Sequence, residues 1–466
     1  MTAETFEVDY LIVGAGAMGM AFADIILAES DKTVLIVDMH QKPGGHWNDA
    51  YPFVTLHQPS AYYGVSSKEL SKGIIDDIGL NKGLQDLATG PEILAYFDEV
   101  MRYQFLPTGR VTYLPMCKYD GDGTISALTS DKQYQVKVRE KVVDGTWLKT
   151  TVPSTHTPNF EVADGVRMIP LNDLPKVSEQ PSRYVVIGGG KTGIDAVVWL
   201  LENHVDPDAI HWVRPRDAWL MRRETTQPDP RFFEATMGAQ AAQMEAIASS
   251  TSIDDMFDRV EAAGIFTRID ESVRPTMFHG ATISDPELAE LRKIKNVIRK
   301  GRIQRIEPDQ IIMDEATLPS DPNTLYVDCS ACAVGNSEET TVFQGDTIRL
   351  QTVRTVQPVF SAAFIAHIEL TRDTEDEKNR LCAVVPLPNH ATDWVRMQNA
   401  FMMNQYNWSQ EKDLRAWLRE NRLDGYSQLT TGISEDDVEK LAIMKRLRDN
   451  AIPSVMKLQE YMAQIA

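Results

Sequence analysis

Twice in this chain an apolar strand runs into a three-glycine turn and out into a helix, and that arrangement limits the possible folds more than any other feature. The first copy reads Val8-Asp9-Tyr10-Leu11-Ile12-Val13, then Gly14-Ala15-Gly16-Ala17-Met18-Gly19, then an apolar-rich stretch from Met20 to Ala28. A second strand follows at Thr33-Val34-Leu35-Ile36-Val37-Asp38. Continuous apolar strands belong to a parallel sheet covered on both faces, so this is a βαβ unit. In such a unit Gly14 permits the tight turn, Gly16 lets the backbone approach a pyrophosphate, and Gly19 lets helix and strand pack closely. The helix N-terminus offers its free N–H groups to the phosphates. Asp38 ends the second strand, about 20 residues on, where a carboxylate accepts hydrogen bonds from ribose hydroxyls.

The same grammar returns at Arg183-Tyr184-Val185-Val186-Ile187, with Gly188-Gly189-Gly190-Lys191-Thr192-Gly193 and a helix through Leu201. Gly188, Gly190 and Gly193 repeat the spacing, and Lys191 and Thr192 are placed for a pyrophosphate. The next strand, Ala209 to Val213, ends in His211-Trp212-Val213-Arg214-Pro215-Arg216, with no acid where the first unit has Asp38. Arg214 or Arg216 can pair with a 2′-phosphate that an acid would repel, which favours NADPH over NADH.

The fold expected is α/β, with two Rossmann-like dinucleotide-binding domains, a helical insertion and a helical C-terminal extension. The first domain takes residues 1–180. The second takes 181–345, with an insertion at about 228–300 that looks helical around Asp285 to Arg299 and has Ser284 as N-cap. Residues 346–466 return to the first domain and add helices, with helical spacing through Trp408 to Leu423 and Glu435 to Ile465. These helices are candidates for a cap or for a homo-oligomer surface. Alternation at Tyr134, Val136 and Val138 predicts antiparallel strands between the two lobes.

Composition excludes several classes of partner. A formal net charge of −20 repels nucleic-acid backbones and anionic lipid. No charged leader with an apolar stretch behind it precedes the first strand, and no apolar segment approaches bilayer length, so neither export nor a membrane span is expected. Four cysteines in 466 residues are too few for a disulfide framework and favour a reducing cytoplasm.

Gly44-Gly45-His46-Trp47, then Tyr51-Pro52 and Gln58-Pro59-Ser60, carry a resemblance. Together with the two glycine units they make the chain similar to the two-dinucleotide-binding flavoproteins, and within them to the flavin-containing and Baeyer–Villiger monooxygenase group. The resemblance covers residues 8–70 and 183–219. It implies FAD in the first lobe and NADPH in the second, with backbone at Gly45 and the Trp47 ring near the flavin. Gln58 best matches the asparagine that lies beside the isoalloxazine in the flavin-containing members. His46 joins Gln58 and Trp47 as a candidate at that edge, and His57 lies close to it in sequence. The group's phenylalanine-glycine-histidine fingerprint is altered, since Phe160, Gly165 and Leu171-Asn172 occupy its region and no histidine lies between Phe160 and Pro181. Tyr326 to Ala331 likewise departs from the group's alanine-threonine-glycine strand end.

Cys329 and Cys332 form a CxxC, but they follow the second glycine unit, whereas in the low-molecular-weight thioredoxin reductases the redox pair precedes it. Buried core cysteine is the expectation for the pair, and no second CxxC or HxxxH accompanies it to hold a metal. No nucleophile elbow accompanies the scattered histidines, so hydrolysis has no support. The function expected is FAD-dependent, NADPH-using oxidation of a small organic substrate with O2, through a C4a-hydroperoxide of the reduced flavin. Two alternatives are a reductase passing electrons to a quinone, disulfide or protein partner, and a noncatalytic flavin-binding protein.

Overall fold

The computed structural model describes residues 4–335 and 338–465. Strand β1 (Glu4–Val13), helix α1 (Ala17–Glu29) and strand β2 (Val34–Val37) form the expected first unit, with β1 and β2 parallel from Tyr10–Val34 to Val13–Val37. Every residue from Gly19 to Ile26 of α1 is buried. A one-sided amphipathic helix could not be buried this way. The sheet covers one side of α1, and the helix Pro358–Thr371, itself apolar almost all round, covers the other.

The first sheet has eight strands. Gln133–Asp144 runs parallel to β1 on the side opposite β2, and Thr347–Arg349, from far along the chain, runs parallel beside it. The predicted antiparallel pairing is present on the outer side of Gln133–Asp144, against Thr124–Ala127, although the same strand pairs parallel with β1. The second sheet is wholly parallel, with Arg183–Ile187 between Ile210–Val213 and Thr324–Asp328, and with Arg167–Pro170 and Asn296–Ile298 at its edges.

The insertion differs from the sequence expectation. It holds helices Phe233–Ser249 and Ile253–Ala262, but also a three-stranded sheet in which Ala218–Arg222 lies between Phe266–Thr267 and Met277–Ile283. The helix capped by Ser284 has the full capping box with Glu287 but ends at Leu291. The β-branched Val297 and Ile298 instead extend the second sheet, opposite Trp212 and Val213. Trp219, Phe257, Phe266, Phe278 and Trp394 build a separate core for the insertion, onto which the C-terminal tail folds. The long helix Val438–Ile465 packs on Phe233–Ser249 and on Asp393–Gln410, burying Leu458 and Tyr461 while leaving Ile452 and Met456 exposed. The tail therefore caps the insertion. Among the described residues no helix is long and apolar enough to cross a membrane.

Candidate functional site

Each glycine turn is shaped as a phosphate-binding turn must be. Gly14 has φ +100°, and a Cβ on Gly19 would lie 2.0 Å from the Gly14 carbonyl oxygen, so helix and strand could not close with any larger residue. A Cβ on Gly16 would meet nothing nearer than the Gly45 Cα at 3.6 Å, which leaves the mouth of the turn open. Gly44 donates its N–H to the Ala15 carbonyl at 2.8 Å, so the Gly44-Gly45-His46-Trp47 segment docks directly on the first turn. In the second turn a Cβ on Gly193 would lie 2.1 Å from the Gly188 carbonyl oxygen, while a Cβ on Gly190 would meet nothing within 4 Å. Both turns thus combine a closed rear with an open front, the geometry into which a dinucleotide pyrophosphate fits.

Asp38 is held by groups that the sequence reading did not name. Its Oδ2 accepts from the Ala15 N–H at 2.6 Å, and its Oδ1 accepts from the His40 N–H at 2.7 Å and pairs with His40 Nδ1 at 2.9 Å. A carboxylate has about four lone-pair sites, so one remains for a ribose hydroxyl. His40 Nε2 reaches Asp49 at 2.7 Å, and hydrogen bonding to Asp38, with Asp49 adding to it against desolvation, raises His40 to about 9. Asp38 therefore ties the turn to the following loop.

At the predicted flavin edge, Trp47 is buried, its indole N–H donates to the Tyr63 hydroxyl at 2.8 Å, and its ring packs against His46 with centroids 5.1 Å apart. Gln58 is half-buried and makes no hydrogen bond among the described residues. Burial lowers His46 to about 4 and His57 to about 3, the latter with help from the charges of Lys191 and Arg223. The Thr282 hydroxyl donates to the His57 carbonyl oxygen and lies 3.1 Å from His57 Nδ1, to which the Thr282 backbone N–H approaches to 3.2 Å.

These two histidines have a consequence for acid stability. Both stay neutral in the fold while the unfolded chain protonates them below pH 6.5, so unfolding takes up protons and stability falls as pH drops from about 6.5 toward 4. Each proton contributes a slope of at most ~1.4 kcal/mol per pH unit. Urea midpoints measured across this range should shift less in a His46→Asn/His57→Asn variant than in the unaltered chain.

The two lobes meet at the same place. Tyr51, from the first lobe, donates its hydroxyl to Asp195 Oδ2 at 2.6 Å, and Asp195 also pairs with Lys191 at the second turn. Phe53 stacks on Trp199 with ring centroids 5.1 Å apart. Arg223, 1% exposed, donates to the His57 carbonyl at 2.8 Å, to Asn81 at 3.0 Å and to Glu287 at 2.7 Å, so three segments distant in sequence converge on one guanidinium. The Thr192 hydroxyl, in the first turn of its helix, has no hydrogen-bond partner among the described residues.

The two arginines after Val213 part company. Arg214 is 1% exposed, pairs with Asp217 and lies over the Trp212 ring at 4.7 Å. Arg216 is partly exposed and donates to Asn389 Oδ1 at 2.8 Å. Burial, and after it the charge of Arg302, lowers the Arg216 pKa. Arg302 is exposed, and its guanidinium makes no hydrogen bond among the described residues, although its backbone N–H and its charge help hold Asp314 below the usual carboxylate range. It is a second cation at this strand end that the linear sequence did not suggest.

Cys329 is buried, and burial pushes its thiol well above the ordinary value, whereas Cys332 is exposed and faces the Val334 carbonyl at 3.0 Å. Both are free thiols, and the expectation of a buried pair holds for Cys329 alone. Among the described residues no group of three or more His, Cys, Asp or Glu could hold a metal ion. Where the segment 354–357 leads into the helix Pro358–Thr371 lies a cavity of about 110 Å³, walled by the insertion and by Asp393–Gln410, with Phe278, Trp394 and Phe401 among its apolar lining. Val356 borders it with φ +48°, a strained conformation for a β-branched residue.

A mixed sheet with a parallel centre and a wholly parallel sheet, each with an open glycine turn, give the chain two Rossmann-like lobes. The NAD(P)-binding Rossmann-like domain family matches residues 12–65. The chain belongs to the family of the uncharacterized proteins Rv2000 of Mycobacterium tuberculosis and Mb2023 of Mycobacterium bovis, being 47% identical to each over 432 residues, or 93% of this chain and 80% of theirs. Among solved structures it is similar to a flavin-containing monooxygenase from Stenotrophomonas maltophilia, with a TM-score of 0.45 at 14% identity, covering 78% of this chain and 98% of that one. It is also similar to the open form of cyclohexanone monooxygenase, with a TM-score of 0.49 at 14% identity, covering 80% and 91%.

Proposed function

We propose that this chain is an FAD-dependent, NADPH-using oxidoreductase that acts as a monooxygenase on a small organic substrate. The observation that carries the reading is the pair of open turns at Gly16 and Gly190, joined across the lobes through Tyr51, Asp195 and Lys191. Gly14, Gly16, Gly19 and Gly45 would cradle the FAD pyrophosphate, and Asp38 would take one ribose hydroxyl. Gly188, Gly190, Gly193, Lys191 and Thr192 would hold the pyrophosphate of NADPH, with Arg216 at its 2′-phosphate. Bound flavin supplies hydride acceptance and reaction with oxygen. The chain's own work would be to orient the two rings and keep water away, tasks for which the Trp47 ring, the unpartnered Gln58 amide and the neutral His57 imidazole are the candidates at the edge of the first lobe.

Anaerobic titration with NADPH should bleach the visible absorbance of the purified yellow protein, and admitting oxygen with substrate should restore it with oxygenated product. Bleaching followed by reoxidation that only a quinone or protein acceptor accelerates would favour the reductase reading instead. The high thiol pKa of Cys329 weighs against a dithiol version of that reading.

A further inference from the structure

The cavity where the segment 354–357 leads into Pro358–Thr371 has a polar wall that the dinucleotide turns do not explain. Gln240 and Gln243 come from one of its helices and Gln398 and Gln405 from another. The spacings of three and seven residues put each pair on one helix face. None of the four amides makes a hydrogen bond among the described residues, although Gln398 is only 6% exposed. The Gln398 amide stays accessible although the rest of the residue is buried, and each glutamine offers two donors and an acceptor oxygen.

Charge on the wall is equally distinctive. Among the described residues the lining contains no carboxylate. Its one cation, Arg354, is 2% exposed and is neutralised by Asp424 at 2.7 Å, with further bonds to Gln357 Oε1 at 3.3 Å and the Asp424 carbonyl at 3.2 Å. The remaining surface joins the hydroxyls of Thr225, Thr226 and Thr355 to an aromatic and methionine-rich side that includes Phe278, Trp394 and Met397. An ion entering would lose its hydration and find no counter-charge.

We propose that this cavity is the substrate chamber and takes an uncharged organic molecule, with an apolar body against the aromatic side and an amide, carbonyl or hydroxyl group read by the glutamines. The substrate role rests on the oxidoreductase reading. A cavity of ~150 Å³ elsewhere admits benzene, so about 110 Å³ suits an enclosed portion no larger than a small ring.

Benzamide, benzoate and benzylammonium test this, being nearly the same shape and respectively neutral, anionic and cationic. Binding is read on the holoprotein from the fluorescence of Trp394 in the cavity wall, with Trp394→Phe removing the signal. Benzamide should bind at least about tenfold more tightly than either ion, and Gln398→Leu/Gln405→Leu should weaken benzamide by about tenfold while toluene binding and Tm are retained. Equal or undetectable binding of all three probes, or benzamide affinity unchanged by the glutamine replacements, would overturn the proposal. The fluorescence readout needs no flavin, so a chain that NADPH fails to reduce would sink the oxidoreductase reading and the substrate role while the neutral-ligand selectivity is still measured.

Discussion

Gly16→Val is expected to yield a folded protein that purifies without flavin. A Cβ at this position would meet only the Gly45 Cα, at 3.6 Å, so the protein itself has room for the first carbon of the side chain. What the valine occupies is the space through which the backbone would approach the pyrophosphate. Gly14 and Gly19 are poorer sites for the same test. Gly14 sits at φ +100° with Thr146 3.0 Å from its ideal Cβ, and a Cβ on Gly19 would lie 2.0 Å from a carbonyl oxygen, so both variants would strain the fold and confuse loss of cofactor with loss of structure. Circular dichroism and Tm near those of the unaltered chain, together with absent visible absorbance, are the expected pair of results. A yellow, stoichiometrically loaded Gly16→Val protein would remove the first turn from the proposed site. Asp38→Ala, by contrast, should disturb both structure and binding, because the carboxylate fastens Ala15 and His40.

For the second lobe, Arg216→Ala should raise the Kd of NADPH by about ten- to a hundredfold and leave that of NADH nearly unchanged. A charge-assisted pair with a phosphate is worth roughly 1.5–3 kcal/mol, or about one to two decades in affinity. Arg214→Ala should behave differently. Its guanidinium is buried against Asp217, with Nε and Nη1 unpartnered, so it has no surface from which to read a phosphate. Asp217 keeps Arg299 at 2.8 and 3.1 Å when Arg214 is removed, so a modest fall in Tm and equal effects on the two nucleotides are expected. Fluorescence titration with NADPH and NADH separates the cases, and equal losses in Arg216→Ala would assign that residue to the frame of the lobe instead of to cofactor choice.

The contrast between these arginines shows where the linear sequence stops being informative. Strand, glycine turn and helix were legible because each depends on residues within about thirty positions, whose spacing alone determines which face is closed and which is open. Arg214 and Arg216 are two residues apart and chemically alike, and only the packing of Trp212 and Asp217 decides that one is buried and the other partly exposed. The bounds of the capped helix were misread for a related reason. Residues 292–299 keep helical spacing, yet Val297 and Ile298 gain more by pairing with the second sheet, and tertiary context overrides local preference. Arg302, the His40 bridge and the convergence on Arg223 depend on neighbours far along the chain. So does the glutamine-lined cavity, since Gln240 and Gln398 belong to segments that the sequence offers no reason to bring together.

The strand Thr347–Arg349 and the helix Pro358–Thr371 complete a lobe that begins at residue 4. During synthesis, therefore, α1 emerges long before the helix that covers it, and its apolar outer side waits for the whole second lobe to leave the ribosome. A nascent chain cut near residue 180 would carry the first glycine turn on an unfinished, aggregation-prone sheet, whereas the second lobe's five strands all lie between Arg167 and Asp328 and can assemble as soon as they are made. The sheet begun at Glu4 is therefore complete only after translation has passed Arg349, and α1 is covered only after it has passed residue 371.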